Sequence, residues 1–138
     1  MDSFGIENAS GPGGLFFSDR TPGDPGRPIE RFLVRLDGLD LSAIGRVYYI
    51  YNDDHPAPLF VAMAEKWRGW DGQLSWGSLE GELTLTCSQD RAGHVAIRVE
   101  LRSGPMETDW SVRATVWAEA GQLEEMARKA TAFFGGLG

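Results

Sequence analysis

Cysteine is nearly missing from this chain of 138 residues: Cys87 stands alone, so no intramolecular disulfide can form and a disulfide-stapled scaffold is excluded. Lysine is almost as scarce, with 2 residues against 11 arginines, and Lys plus Arg total 13 against 20 Asp plus Glu, a formal charge of −7. That shortage of cations opposes attraction to phosphate backbones and to anionic lipid, so neither nucleic acid nor a membrane is expected as a partner. No apolar run approaches the ~20 residues that span a bilayer. The start, MDSFGIENASGPGG, lacks the basic segment and apolar run of a secretory signal, and the expected location is cytoplasmic.

Phosphate-binding loops are lacking too. Among 18 glycines there is no G-x-x-x-x-G-K-[ST], and no G-x-G-x-x-G lies between a strand and a helix. Histidine occurs only as His55 and His94. Asp53 and His55 are two positions apart at a strand-helix junction with no third ligand in view, so they read as a helix start, and no metal or other cofactor is expected. His94 falls in a polar turn. Cys87 takes the inward phase of its strand and reads as a small buried hydrophobe rather than a nucleophile. Glu80 and Glu82 read as a solvated strand face rather than as an acid-base pair.

What is present is an ordinary globular composition, 42% apolar and 24% charged, enough for one core without staples. Residues 1–28 form a Gly/Pro-rich segment with one possible strand at about 15–20, and 29–138 read as a single α+β domain. Phe32, Val34 and Leu36 alternate with Arg31, Leu33, Arg35 and Asp37 in a half-buried strand. In GRVYYIYN, Val47, Tyr49 and Tyr51 share one face and Tyr48 and Ile50 the other, which predicts a strand inside the sheet. Leu59, Phe60, Met63 and Trp67 recur at helical spacing until Gly69. Leu83, Leu85 and Cys87, then Val95, Ile97, Val99 and Leu101, then Val112, Ala114, Val116 and Ala118, mark three strands of a meander. A last amphipathic helix follows, with Glu124 and Glu125 in its first turn, Arg128 and Lys129 later, and Gly135 as its stop. The expected architecture is an antiparallel sheet of about five to six strands with two helices packed on one face, in the order β-β-β-α-β-β-β-α.

Two groups of residues are candidates for function. The wet face of the meander carries Arg98, Arg102, Arg113 and Glu119 around Trp117, an outward tryptophan of the kind that anchors interfaces, unless Phe16 or Phe17 folds over it. The block WRGWDGQLSWGSLEGEL gathers Trp67, Trp70 and Trp76, which with Tyr49 and Tyr51 could line a pocket between sheet and helices. The simpler reading of the block is a plug, with Trp67 on the inward stripe of the helix and the other indoles sealing the corner.

The blocks W-x-G-W-x-G-x-x-x-W-x-S-L-E-x-x-L, D-x-x-G-H-V and G-Q-L-E, standing here at residues 67–83, 90–95 and 121–124, carry a resemblance. Over about residues 30–134 the chain resembles a family of small uncharacterised proteins from high-GC, actinobacterial-type genomes, and the excess of Arg over Lys fits such a source. That family has no established activity, so the resemblance implies a shared fold and assigns no residue a role. Function therefore rests on the residues themselves. The leading expectation is a non-catalytic protein-interaction module that binds another protein or its own copy, one version being an immunity- or antitoxin-type protein whose acidic charge suits a basic partner. The other is a small-molecule binder or enzyme using the aromatic pocket.

Overall fold

The computed structural model describes residues 2–50, 55–104, 106 and 109–135. It has eight strands and two helices: β1 (Ser3–Glu7), β2 (Gly14–Thr21), β3 (Ile29–Gly38), β4 (Leu41–Ile50), α1 (Ala57–Glu65), β5 (Leu74–Gly77), β6 (Leu83–Gln89), β7 (His94–Arg102), β8 (Ser111–Glu119) and α2 (Leu123–Ala130), which runs on into a wider turn over Thr131–Gly135. The strands form two four-stranded antiparallel meanders, β1-β2-β3-β4 (sheet 1) and β5-β6-β7-β8 (sheet 2). The chain is α+β as expected, but the single sheet of five to six strands is replaced by two sheets. The element order, four strands and then a helix, occurs twice without a matching sequence repeat.

Local chemistry accounts for the turns. Asp90 Oδ1 accepts the backbone N–H of Ala92 and of His94, and Gly93 at φ 88° completes the β6–β7 turn. Between β3 and β4 only Leu39 and Asp40 intervene, Asp40 taking φ 57°, a conformation Asp tolerates better than most residues. The β1–β2 loop closes where Asn8 N–H donates to the Gly13 carbonyl. Gly13 is at φ 95°, and a Cβ there would lie 2.1 Å from the Asp37 carbonyl oxygen, so glycine alone lets the loop lie against the end of β3.

The inward phases of both sheets and the apolar stripes of both helices form one core. On sheet 1 a set of rings dominates it. Phe4 stacks on Phe17 with centroids 4.6 Å apart, and Phe60 of α1 and Phe133 and Phe134 beyond α2 meet both edge-on or tilted. On sheet 2, Leu83, Leu85, Ile97, Leu101 and Ala118 are fully buried, in the phase read from the sequence. The expected first strand is β2, and with β1 it is integral to sheet 1, since Phe4, Ile6, Leu15 and Phe17 are all buried.

Three ties hold the sheets together. Glu82, buried just before β6, accepts the Tyr48 N–H off the edge of β4 at 3.2 Å and the Ser78 hydroxyl at 2.7 Å, while Ser78 Oγ accepts the Leu83 N–H. At Gly45 the face of β4 comes so close to Leu101 of β7 that a Cβ would lie 2.8 Å from its Cδ1. At the other side Asn8 Oδ1 accepts the Trp117 N–H and the Ala9 N–H donates to the Trp117 carbonyl. Glu82 is therefore no solvated strand face. Its side chain substitutes for a neighbouring strand at an edge whose donor would otherwise be buried unpaired.

Replacing Glu82 with alanine strands the Tyr48 N–H and the Ser78 hydroxyl in a buried site. A loss of about 2–3 kcal/mol in unfolding free energy by urea titration is expected, with a smaller loss for Glu82→Gln, which keeps one acceptor.

Candidate functional site

The tryptophan block divides in the structure. Helix α1 stops at Glu65, so Trp67 lies beyond it rather than on its inward stripe, and the ring is 53% exposed with the Arg68 guanidinium 5.1 Å from its centroid. The periodicity that placed it inward continued past the end of the helix. Trp70, half-buried, donates its indole N–H to the Cys87 carbonyl at 3.3 Å, and Trp76 on β5 packs beside Leu85 against the core. Sealing thus describes Trp70 and Trp76 and fails for Trp67. Gly69 at φ 128° and Gly72 at φ 71° make the reversals between them.

Of the aromatics proposed to line a pocket, the four that are described do not gather at one cleft. Tyr49 is buried in sheet 1, Trp76 packs on sheet 2, and Tyr51 lies outside the described residues. Trp67 and Trp70 do share a cleft of ≈ 640 Å³ with Gln89, Asp90 and Arg91. A cleft of ≈ 710 Å³ between β1 and α2 contains none of the four described aromatics and is lined in part by Glu7, Arg35, Glu125 and Lys129.

Tyr49 belongs instead to a polar network linking β2, β3 and β4. Its hydroxyl donates to Glu30 Oε1 at 3.1 Å, Arg20 Nη2 donates to the same oxygen at 2.9 Å, and Arg20 Nε donates to the tyrosine oxygen at 3.4 Å. Burial, reinforced by the Glu30 carboxylate, pushes the Tyr49 phenol up to about 12. A neutral tyrosine between a paired arginine and a paired carboxylate is a structural tie across three strands. His55 stacks on Phe134 with centroids 5.3 Å apart, and its Nδ1 accepts the Ala57 N–H at the start of α1, which agrees with its reading as part of a helix start. Burial pushes the Cys87 thiol up to about 12, far from the reactive range. Among the described residues no group of three or more His, Cys, Asp or Glu is placed to hold a metal ion, and no helix is long and apolar enough to cross a membrane.

The outward face of sheet 2 carries the other expected set. Arg98 lies between Thr86 and Thr115 in register, and Arg113 pairs with Glu100 at 2.6 Å across β7 and β8. Arg102 lies one pair further along, opposite Ser111. Trp117 lies opposite Ala96, is 36% exposed, and is flanked by the Asn8 turn rather than by Phe16 or Phe17. Phe17 is in the core, and Phe16 lies between Gly5 and the Arg35 guanidinium. Glu119 Oε2 lies 3.8 Å from His94 Nε2, and Asp90 Oδ2 is 3.0 Å from His94 Nδ1.

A third surface was missed from sequence. β4 is the edge strand of sheet 1, not an interior one, so the second apolar face read in VYYIYN points to solvent. Ile44, Tyr48 and Ile50 are 58%, 40% and 41% exposed, and Ile29, opposite Ile50 on β3, is 62% exposed. Arg31, Arg35 and Arg46 occupy outward positions among them. The signal was present, since apolar residues on both faces of a strand fit a wet apolar face as well as an interior position.

These features define a small α+β domain of two stacked meanders with mixed-charge and apolar outward faces and no assembled catalytic constellation among the described residues. The chain belongs to a family of unknown function, DUF6228, whose model matches residues 6–136. No curated protein and no solved structure matches it.

Two outcomes test this geometry. Trp67→Ala is expected to change unfolding free energy by less than about 0.5 kcal/mol, as exposed substitutions do, whereas Trp70→Ala should cost about 2 kcal/mol from a partly buried ring and a lost hydrogen bond. The hydrogen bond that the His94 ring donates to the Asp90 carboxylate, then the charges of Asp90 and Glu119, raise His94 above its ordinary 6.5. The stabilisation of the β6–β7 turn that comes with this is fully present below the unfolded value and disappears as pH rises through the raised folded value. In an NMR titration the His94 midpoint should lie above 6.5 and fall in Asp90→Asn.

Proposed function

We propose that this protein is a non-catalytic protein-interaction module. The observation that carries the reading is the cluster of large apolar side chains left open on one sheet face: Ile29, Ile44, Tyr48 and Ile50 on β3 and β4. Large apolar side chains held open among arginines on one sheet face suit a binding surface, and the fold gains nothing from holding these groups in water. Arginine and tyrosine among them add the side chains that most often dominate binding energy. The face of sheet 2 around Trp117, with Arg98, Arg102, Arg113 and Glu119, is a second candidate contact. A net charge of −7 favours a basic partner at long range, the situation of an immunity- or antitoxin-type protein.

The competing reading, a small-molecule binder or enzyme, would have to use the cleft shared by Trp67 and Trp70, since Tyr49 and Trp76 lie apart from it. The test is purification of the tagged full chain from its native host. A stoichiometric protein partner is expected with the wild type and not with Ile44→Glu, whose melting temperature should match the wild type. A metabolite screen in which one compound raises the melting temperature, with no protein recovered, would favour the competing reading. Self-association is tested by light scattering, where a monomer at micromolar concentration removes the protein's own copy as the partner.

A further inference from the structure

We infer that the outward face of β3 and β4 docks an acidic protein segment, its carboxylates held by Arg31 and Arg46 and its apolar side chains resting on Ile29, Ile44 and Tyr48. This rests on the interaction reading above and names the partner's chemistry at this face, which is opposite to the basic effector suggested by net charge.

The local charge is the first support. The outward positions of β3 and β4 hold Arg31, Arg35 and Arg46 against the single acid Asp37, on a chain whose total is −7. Arg35 is already occupied: its Nε donates to Asp37 at 2.9 Å and its guanidinium covers Phe16. Arg31 spends only one donor, on the Thr21 hydroxyl at 3.3 Å, and neither Arg31 nor Arg46 forms an ion pair with another described residue. Two guanidiniums with no carboxylate partner among the described residues, on a half-apolar face, suit carboxylates, which they can bind in bidentate fashion.

The second support is a cleft. One extra residue in β2 between Ser18 and Thr21 shifts its register with β3, and Asp19 there takes φ 52°. The bulge opens a cleft of ≈ 380 Å³ bordered by Asp19, Arg31, Leu33 and Arg46. Asp19 is the one carboxylate in it and accepts the Ser18 hydroxyl at 3.1 Å, so two open cations face one acid.

Other occupants fit less well. The face is mostly aliphatic, with Tyr48 the one ring on β3 and β4 pointing outward, which is poor for stacking bases, and the total charge repels a polyanion. A second copy docked face to face would set arginine against arginine.

The experiment places a photoreactive amino acid at position 44 of the full chain in its native host. The expected product is a cross-link to a protein segment with more Asp and Glu than Lys and Arg. Its yield should fall at least about tenfold when Arg31→Glu and Arg46→Glu are combined, and should fall with added salt in the lysate. Circular dichroism and the melting temperature check that the double variant is folded, and Arg31→Gln with Arg46→Gln serves if it is not. A cross-linked segment rich in Lys and Arg, or a yield indifferent to charge reversal, overturns this proposal and leaves the interaction function standing. Cross-links to nucleic acid, lipid or a second copy overturn it as well. No cross-link at all overturns both readings.

Discussion

Two open meanders must be closed on one another before either can bury its apolar face, and the buried Glu82 carboxylate is the point at which that closure is specified. A four-stranded sheet with one apolar face needs a second layer, and here both apolar faces are buried in one core with the two helices, whose Phe60, Phe133 and Phe134 cover sheet 1. The difficulty is that β4 is an edge, and its part-buried Tyr48 N–H comes up against the buried Glu82 just before β6 of the second sheet. A strand paired there would merge the sheets, and an unpaired N–H would weaken them. A carboxylate that accepts this donor on one oxygen and Ser78 on the other satisfies the edge and keeps the sheets distinct. Asn8 does the same work for Trp117 on the opposite side. The spacing between the sheets, and with it the close approach of Gly45 to Leu101, follows from these side-chain caps.

Much of this was legible in the residues, and the failures are physical. The strands β3, β6, β7 and β8 and the helix α2 announce themselves because one face of each is apolar over at least three alternations or two turns, and their observed phases match. β1 and β5 escaped because Ser3–Glu7 and Leu74–Gly77 are too short for period two to stand out, and each contains a glycine. Without those two strands, the remaining ones assemble naturally into one sheet. Glu82 escaped because alternation cannot distinguish a carboxylate facing water from one that caps a strand edge. Trp67 was misplaced because helical spacing has no knowledge of where the helix ends, while Lys66 and Gly69 do. The resemblance read from the tryptophan block, the D-x-x-G-H-V turn and the G-Q-L-E helix agrees with the family match, and it is informative about fold alone.

The candidate surface was less legible than the fold. The sequence drew attention to Trp117, which the structure leaves one-third exposed beside Asn8, and to aromatics that prove to be separate structural elements. The β3–β4 face was passed over because the second apolar phase of β4 was assigned to an interior strand. Net charge misdirects in the same way: a total of −7 describes the average surface, whereas a partner meets a particular one. Asp90, Glu124 and Glu125 lie in a turn and on α2, while the outward positions of β3 and β4 hold Arg31, Arg35 and Arg46 beside one acid, Asp37. An average acidic and locally basic protein can be steered by one sign and held by the other.

The strongest ground for assigning meaning to the β3–β4 face is a comparison internal to the molecule. Both sheets are four-stranded meanders, both bury one face in the same core, and both expose the other. Strand propensity favours β-branched and aromatic residues on either, so propensity alone would predict similar outward faces. They differ. Sheet 2 meets the demand with Thr84, Thr86 and Thr115 among paired charges such as Glu100 and Arg113, residues that hold a strand and stay in water. Sheet 1 meets it with Ile29, Ile44, Tyr48 and Ile50 beside Arg31 and Arg46, which form no ion pair with another described residue, and Arg35, which pairs with Asp37. Its outer strand is moreover an edge, where exposed aliphatics invite aggregation and threonine or lysine would be safer. Around Thr86 and Thr115 the fold thus contains its own example of a solvated face, and the β3–β4 face departs from it toward exposed aliphatics that strand propensity alone does not require.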